Sequence, residues 1–396
     1  MGMEVVWAKK KHEALSETTI FQFCVVTLYF LGTFERLSIV SSVDILNSMV
    51  GFLGLLCDFL LFVVYLTKVK SIRGVLVFTI VVLLGIVSAW CSKSFLMIKG
   101  LLLIVCAAGE DYPKLLRSGA MAVFAALIIG LICQIIGVPS SEFRRGGLSL
   151  GFGHPNQAAL FIVLMLLLLY VSNSIRGVSQ KQDWYFWVFG LVLIFATGSR
   201  TALVAVTLVA ILTPLINRRY RLRQNCAIKA ALLCVPFAIF VFTVVSAQCL
   251  YDSTFVQNLD TVLSNRIWLN WFALDNFDIN AFGQASSLHV QGVHNELRNT
   301  WNVTTTVDCT YVAALLSYGI VGLLMWLLSY VLAFRRAWTS RKAAIVAVLA
   351  VFAFYAFSES QLTDVLINFG LFCTFANLDA EVKSPSNAST GFSSIE

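Results

Sequence analysis

From Trp184 to Ile216 the chain is almost unbroken apolar sequence. One charge interrupts it, Arg200, in the run Ala196-Thr197-Gly198-Ser199-Arg200-Thr201-Ala202-Leu203. Apolar stretches long enough to cross a membrane, or to cross with help from their flanks, recur along the whole chain. They lie near 20–33, 45–67, 74–91, 94–109, 119–138 and 157–172, and again near 184–197, 201–217, 226–246, 309–333, 343–357 and 362–378. Soluble domains carry roughly a quarter charged residues. Here 12% are charged and 59% hydrophobic, with a mean hydropathy of +0.83. The reading is an all-α, polytopic integral membrane helical bundle of about twelve spans, and it excludes a soluble domain.

The net charge of +7 does not indicate nucleic acid, because the basic residues sit in short clusters between apolar runs and not on one soluble face. With the N-terminus placed in the cytoplasm, the inner segments hold Lys9 to Lys11, then Lys68, Lys70 and Arg73, then Lys114 and Arg117, then Arg176 and Lys181. They continue with Arg218, Arg219, Arg221, Arg223 and Lys229, then Arg335, Arg336, Arg341 and Lys342, and finally Lys383. That is 20 of the 28 basic residues, so the positive-inside rule favours twelve helices with both termini inside. The first run follows Lys9-Lys10-Lys11 like a signal peptide, but no small-residue cleavage site follows it before Phe34-Glu35-Arg36, so it reads as a retained helix.

The domain reading follows the runs. Residues 1–246 form an N-terminal transmembrane bundle of about nine helices, and 247–308 a large extracytoplasmic loop with an amphipathic helix. Residues 309–378 form C-terminal transmembrane helices, and 379–396 a disordered cytoplasmic tail rich in Ser, Pro, Asn and Gly. In the loop, Leu263 to Asp275 reads as the amphipathic helix, with apolar residues at 263, 267, 268, 271, 272 and 274. It could lie in the interface as a lid or simply pack on the bundle. The cysteines lie mostly inside apolar runs with no C-x-x-C pair, as small packing residues do. Cys249 and Cys309 flank the loop and could pair.

Eight basic residues fall on the outer side or within a span: Arg36, Lys93, Lys99, Arg144, Arg145, Arg200, Arg266 and Arg298. Cations gathered at one face against the topological bias suggest an anionic ligand there. Arginine suits a diphosphate, because its planar fork makes paired hydrogen bonds and stays charged. Arg200 could equally be a snorkelling arginine between two helices. Gly151-Phe152-Gly153-His154-Pro155-Asn156 bends the chain before a helix and leaves His154 and Asn156 near an anion-attracting N-terminus; Asn156 could instead be a plain helix cap. Asp308, at the mouth of the span beginning Cys309-Thr310-Tyr311, could be a general base or a cap. Glu359 and Asp364 could serve either purpose. His289, His294 and Glu296 lack the spacing of a zinc site, so no metal is expected.

Together these strings resemble the Wzy-type O-antigen and capsular polysaccharide polymerases, within the wider O-antigen ligase and polymerase superfamily. The resemblance rests on Gly151 to Asn156, on Thr197-Gly198-Ser199-Arg200-Thr201, and on Leu263-Ser264-Asn265-Arg266-Ile267-Trp268. Val307-Asp308-Cys309-Thr310-Tyr311 and Ser317-Tyr318-Gly319-Ile320-Val321-Gly322 complete it, so that it spans Arg144 to Gly322. It implies a GT-C-like, inverting glycosyltransferase of the bacterial cytoplasmic membrane that works on the extracytoplasmic face without nucleotide sugar, metal or cofactor. Donor and acceptor would be undecaprenyl-pyrophosphate-linked repeat units, joined by block transfer.

On that resemblance Arg200 and Arg266 would bind the leaving pyrophosphate. Arg144, Arg145, His154, Asn156 and Arg298 would add contacts to pyrophosphate or glycan. Asp308 would take the acceptor proton, and His294, or less so His154, could share that role. The implied partners are the lipid-linked glycan, membrane lipid and a chain-length regulator protein, and no nucleic acid. Superfamily ligases usually place a histidine and asparagine where the loop returns to the membrane. Here His294-Asn295 lies upstream and the returning position reads Asp308-Cys309, which favours polymerase over ligase. The polymerases often read Asp-Asn there, so Cys309 is a further departure. A transporter or flippase for the same lipid-linked glycan is the rival of another class. It would need charges along a path through the bundle and often two related halves. Lys99 and Asp58 are the main possible exceptions to charges gathered at one face, and no repeat is visible.

Overall fold

A computed structural model describes residues 2–68, 72–137, 148–179, 181, 184–222, 226–285, 289–291 and 304–379. The first seven helices are α1 (Gly2–Phe34), α2 (Ser38–Ser42), α3 (Asp44–Lys68), α4 (Ile72–Ser92), α5 (Leu96–Cys106), α6 (Tyr112–Ile135) and α7 (Pro155–Arg176). They are followed by α8 (Trp184–Thr197), α9 (Arg200–Leu222), α10 (Cys226–Gln248), α11 (Thr254–Val262), α12 (Arg266–Asn276), α13 (Thr310–Thr339) and α14 (Ala343–Tyr355). Among the described residues, strand is confined to a small antiparallel hairpin of β1 (His289–Gln291) and β2 (Thr304–Thr306). The fold is therefore helical, as its apolar runs require. Among the described residues, seven helices are long and apolar enough to cross a membrane, namely α1 from Glu17, α3, α6, α7, α9 to Arg218, α10 from Ala227, and α13. Apolar stretches within α4, α5, α8 and α14 are shorter.

Burial differs from helix to helix at similar hydropathy. In α7 every residue from Ala158 to Leu169 is buried, so protein and not lipid surrounds it on all sides. It packs against α6, α8, α9 and α14. In α3, Cys57, Leu61 and Val64 face inward while Phe52, Leu55, Phe59 and Leu66 stand exposed. An apolar outer face of that size fits lipid and not water.

The segment 362–378 corrects the sequence reading of a twelfth α-helix. It contains 3-10 turns at Ser360–Thr363 and Phe369–Thr374, joined by irregular chain. Side chains that bond to nearby backbone displace the α-helical pattern: the Asp364 carboxylate accepts the Leu366 N–H at 2.9 Å, and Asn368 Nδ2 donates to the Leu362 carbonyl at 3.4 Å. The chain nevertheless runs the length of the bundle, from Thr310 at the start of α13 to Lys342 before α14, where Lys342 Nζ lies 3.7 Å from Asp379. Non-helical backbone is tolerated at membrane depth only where protein covers it. Cover comes from Leu362, Val365 to Cys373 and Ala376, all buried. Neighbouring helices donate to its carbonyls, Tyr112 Oη to Phe369 at 3.0 Å and Trp326 Nε1 to Leu362 at 3.2 Å.

Helix α13 is kinked at Gly319, whose φ of 73° and ψ of −174° lie outside helical space. The amide groups freed by the kink find partners in the segment after α12. Ile320 N–H donates to the Asn280 carbonyl at 3.1 Å and Val321 N–H to that of Ala281 at 3.0 Å.

The loop 247–308 also differs from expectation. The helix expected over Leu263 to Asp275 is present as α12, starting three residues later, and a further helix that was not expected, α11, precedes it across the turn at 263–265. Cys249 and Cys309 do not pair; Cys249 is exposed after α10 and Cys309 is buried before α13, both as free thiols.

Candidate functional site

Arg200, Arg266 and the turn after α14 meet at one end of the bundle around a cleft of about 580 Å³. Asn156, Thr201, Ser264, Tyr355 and Ser358 also line it.

Arg200 is the first residue of α9. The preceding Gly198 turns the chain with φ 70°, a conformation that favours glycine, and separates α8 from α9. The Arg200 side chain is exposed in the cleft and has no hydrogen-bond or ion-pair partner among the described residues. Arg266 is the first residue of α12 and is more enclosed. Its Nη1 donates to the Ser358 carbonyl and lies 3.5 Å from Asp308 Oδ2. Asp308 is 44% exposed against 13% for Arg266, so the carboxylate is the open member of the pair.

Asp260 positions Arg266, and the sequence reading missed it. This buried carboxylate in α11 accepts the N–H groups of Ile267 and Trp268 at 2.7 and 3.1 Å, and so satisfies the first amides of α12. Burial raises its pKa, while the two amide bonds pull in the opposite direction. A carboxylate six residues ahead of an arginine, with the turn residues Ser264-Asn265 between, was the available signal.

Glu359 lies in the turn between α14 and the irregular segment, beside this pair. Its backbone carbonyl accepts the Thr310 hydroxyl, which ties the turn to the start of α13. Burial pushes its carboxyl from 4.5 up to about 8; Arg266 opposes the rise and Asp308 adds to it. Below that pH the Glu359 carboxyl is neutral and does not offset the two arginines of the cleft, which suits an anion.

The structure gathers Asn156, Arg200, Arg266 and Asp308 at this end. His154 and Asn156 exchange the roles weighed for them: His154 Nδ1 accepts the Asn156 N–H at 3.1 Å and caps α7, while Asn156 lines the cleft. The cap bond holds the His154 ring at the start of α7 through its Nδ1. Arg144, Arg145, His294 and Arg298 lie outside the described residues. Among the described residues no group of three or more His, Cys, Asp or Glu is arranged to hold a metal. No family model matches the chain, and neither a curated protein nor a solved structure shows significant similarity to it.

Proposed function

We propose that this protein is a membrane glycosyltransferase that joins polyprenyl-pyrophosphate-linked oligosaccharide repeat units into a polysaccharide. The observation that supports the reading is the cleft at one end of an apolar bundle, lined by Arg200, which has no partner among the described residues, and by Arg266, whose Nη1 lies 3.5 Å from Asp308. In this reading twelve membrane crossings place both termini in the cytoplasm of a bacterium and the cleft on the outer face, within a GT-C-like architecture.

The chemistry follows from the groups present. A hydroxyl of the acceptor sugar attacks the anomeric carbon of the donor glycan, and the bond from that carbon to the pyrophosphate oxygen breaks. Asp308 takes the hydroxyl proton. Arg200 and Arg266 stabilise the negative charge that grows on the departing polyprenyl pyrophosphate. Arg266 is already held by Ser358 and Asp308, so it needs little reorganisation.

A carrier for the same lipid-linked glycan is the second reading, favoured by the half-buried Asp58–Lys99 ion pair between α3 and α5. The test is incubation of the purified protein with lipid-linked repeat units, beside Asp308→Asn. The polymerase reading expects chain growth in the wild type and its loss in a folded variant. Movement of the lipid between leaflets without lengthening of the glycan supports the carrier instead.

A further inference from the structure

Helix α11 presents three faces. Val256 and Asp260, four residues apart, are buried: Val256 joins Ile267 and Phe357 in a small core, and Asp260 holds the first amides of α12. Phe255 and Val262, seven residues apart, project within about 20° of one another and are 76% and 80% exposed. Thr254, Gln257, Asn258 and Thr261 form the third face, which is polar and also exposed. Asp260 is the one charged residue of the helix, so neither exposed face carries a charge.

The position of α11 decides what its exposed apolar face meets. Ile239 of α10 packs against the core that contains Val256, and it precedes Gln248, the end of α10, by nine residues, or about 14 Å of helix. The Phe357 ring of the same core is 5.9 Å from the ring of Phe242, also on α10. Helix α11 therefore doubles back beside a helix long and apolar enough to cross the membrane, and does not stand beyond its end. The neighbouring exposed surface is apolar too: Val241, Phe242 and Val245 on α10, Val204 on α9 and Phe354 on α14. Val262 lines the arginine cleft together with Val204 and Phe354, so this surface continues around the cleft onto α11.

We propose that α11 lies in the plane of the membrane at the level of the cleft, with Phe255 and Val262 inserted among the acyl chains of that leaflet and its polar face turned to headgroups and water. A helix with one apolar and one polar exposed face settles at the boundary between acyl chains and headgroups. The partner is the bilayer phospholipid, met through its acyl chains, and the uncharged faces require no particular headgroup. Helix α12, the interface candidate of the sequence, packs inward instead, with Ile267, Phe272 and Ala273 buried. One rim of the arginine cleft, at Val262, then rests on lipid. This inference rests on membrane embedding and not on the glycosyltransferase reading.

Photolabelling of the full-length protein in phosphatidylcholine nanodiscs tests it. One probe is a phosphatidylcholine with a diazirine in its acyl chain, the other a water-soluble diazirine, and labelled residues are mapped by peptide mass spectrometry. The expected result is acyl-chain label on Phe255 and Val262 comparable with that on Val241 and Val245 of α10, and water-soluble label confined within α11 to its polar face. Phe255→Asp combined with Val262→Asp should abolish acyl-chain label on α11 and leave that on α10. Should the double variant fail to fold, the two probes on the wild type decide the matter. Water-soluble label on Phe255 and Val262 without acyl-chain label overturns the proposal by placing the face in water. Label from neither probe overturns it by placing the face against protein, which a crosslink to a second copy would identify. Acyl-chain label unchanged in a folded double variant overturns it as well.

Discussion

The Asp260 carboxylate accepts the Ile267 N–H at 2.7 Å, so α12 is capped by a side chain of α11 and not by the residue that precedes it. Asn265, in that position, is left-handed with φ 61° and makes no side-chain cap bond. Arg266 follows directly, and its direction into the cleft depends on this bond. Asp260→Ala should therefore cost about 1 kcal/mol of stability, as loss of a cap does. It should also weaken pyrophosphate binding at a temperature where the protein remains folded. Asp260→Asn keeps one of the two acceptor oxygens and should recover only part of both, read by thermal unfolding and by titration with pyrophosphate.

Arg200 and Arg266 should separate function from stability. Arg200 has no partner among the described residues, so Arg200→Ala should change stability by less than about 0.5 kcal/mol while lowering turnover on the order of a hundredfold. Arg266→Ala removes the donor to the Ser358 carbonyl and the guanidinium 3.5 Å from Asp308. It should lower turnover and also cost roughly 1–3 kcal/mol. Paired unfolding and turnover measurements on the two variants check the difference.

Glu359 should make both stability and anion binding depend on pH. Its carboxyl is raised in the fold from 4.5 to about 8, so the folded protein holds this proton more tightly than the unfolded chain. Its stabilising contribution is complete below the lower value and is lost as pH rises towards the upper one. Ionisation also adds a negative charge beside Arg266, so pyrophosphate affinity should fall as pH passes through about 8. Glu359→Gln should flatten both profiles in that window, measured by unfolding midpoints and binding titrations across pH.

Gly319 should tolerate no side chain. A Cβ there would meet the backbone of Ala281 and Gly283, and its φ of 73° is unfavourable for other residues. Gly319→Ala is expected to cost more than about 1 kcal/mol and to loosen the segment after α12. Faster hydrogen exchange at Ile320 and Val321, whose amides bond to Asn280 and Ala281, would report it.

Much of the helical scaffold could be read from the chain because apolar length and charge placement are local properties. The run Ala158 to Leu169 is apolar on every side and is buried on every side. Segment 362–378 is equally apolar in composition, yet Asp364 and Asn368 bond to nearby backbone and turn it from an α-helix. Residue types alone do not reveal that choice. At the cleft, Arg200 and Arg266 were visible as cations against the topological bias, and Asp308 as a carboxylate at a helix mouth. Asp260 was not, because it caps a helix from another one. His154 and Asn156 were both visible, but which one caps α7 depends on the turn geometry. Glu359 was visible only as an acid near a turn, since its burial depends on α13 and α12 packing around it.

The most direct measurement is the stoichiometry of polyprenyl pyrophosphate release as purified protein acts on a lipid-linked repeat unit. The account predicts one polyprenyl pyrophosphate freed for each glycosidic bond formed, and neither product with Arg200→Ala and Arg266→Ala combined. Lipid that crosses the bilayer with its glycan still attached, unlengthened and with no pyrophosphate lipid released, would contradict it.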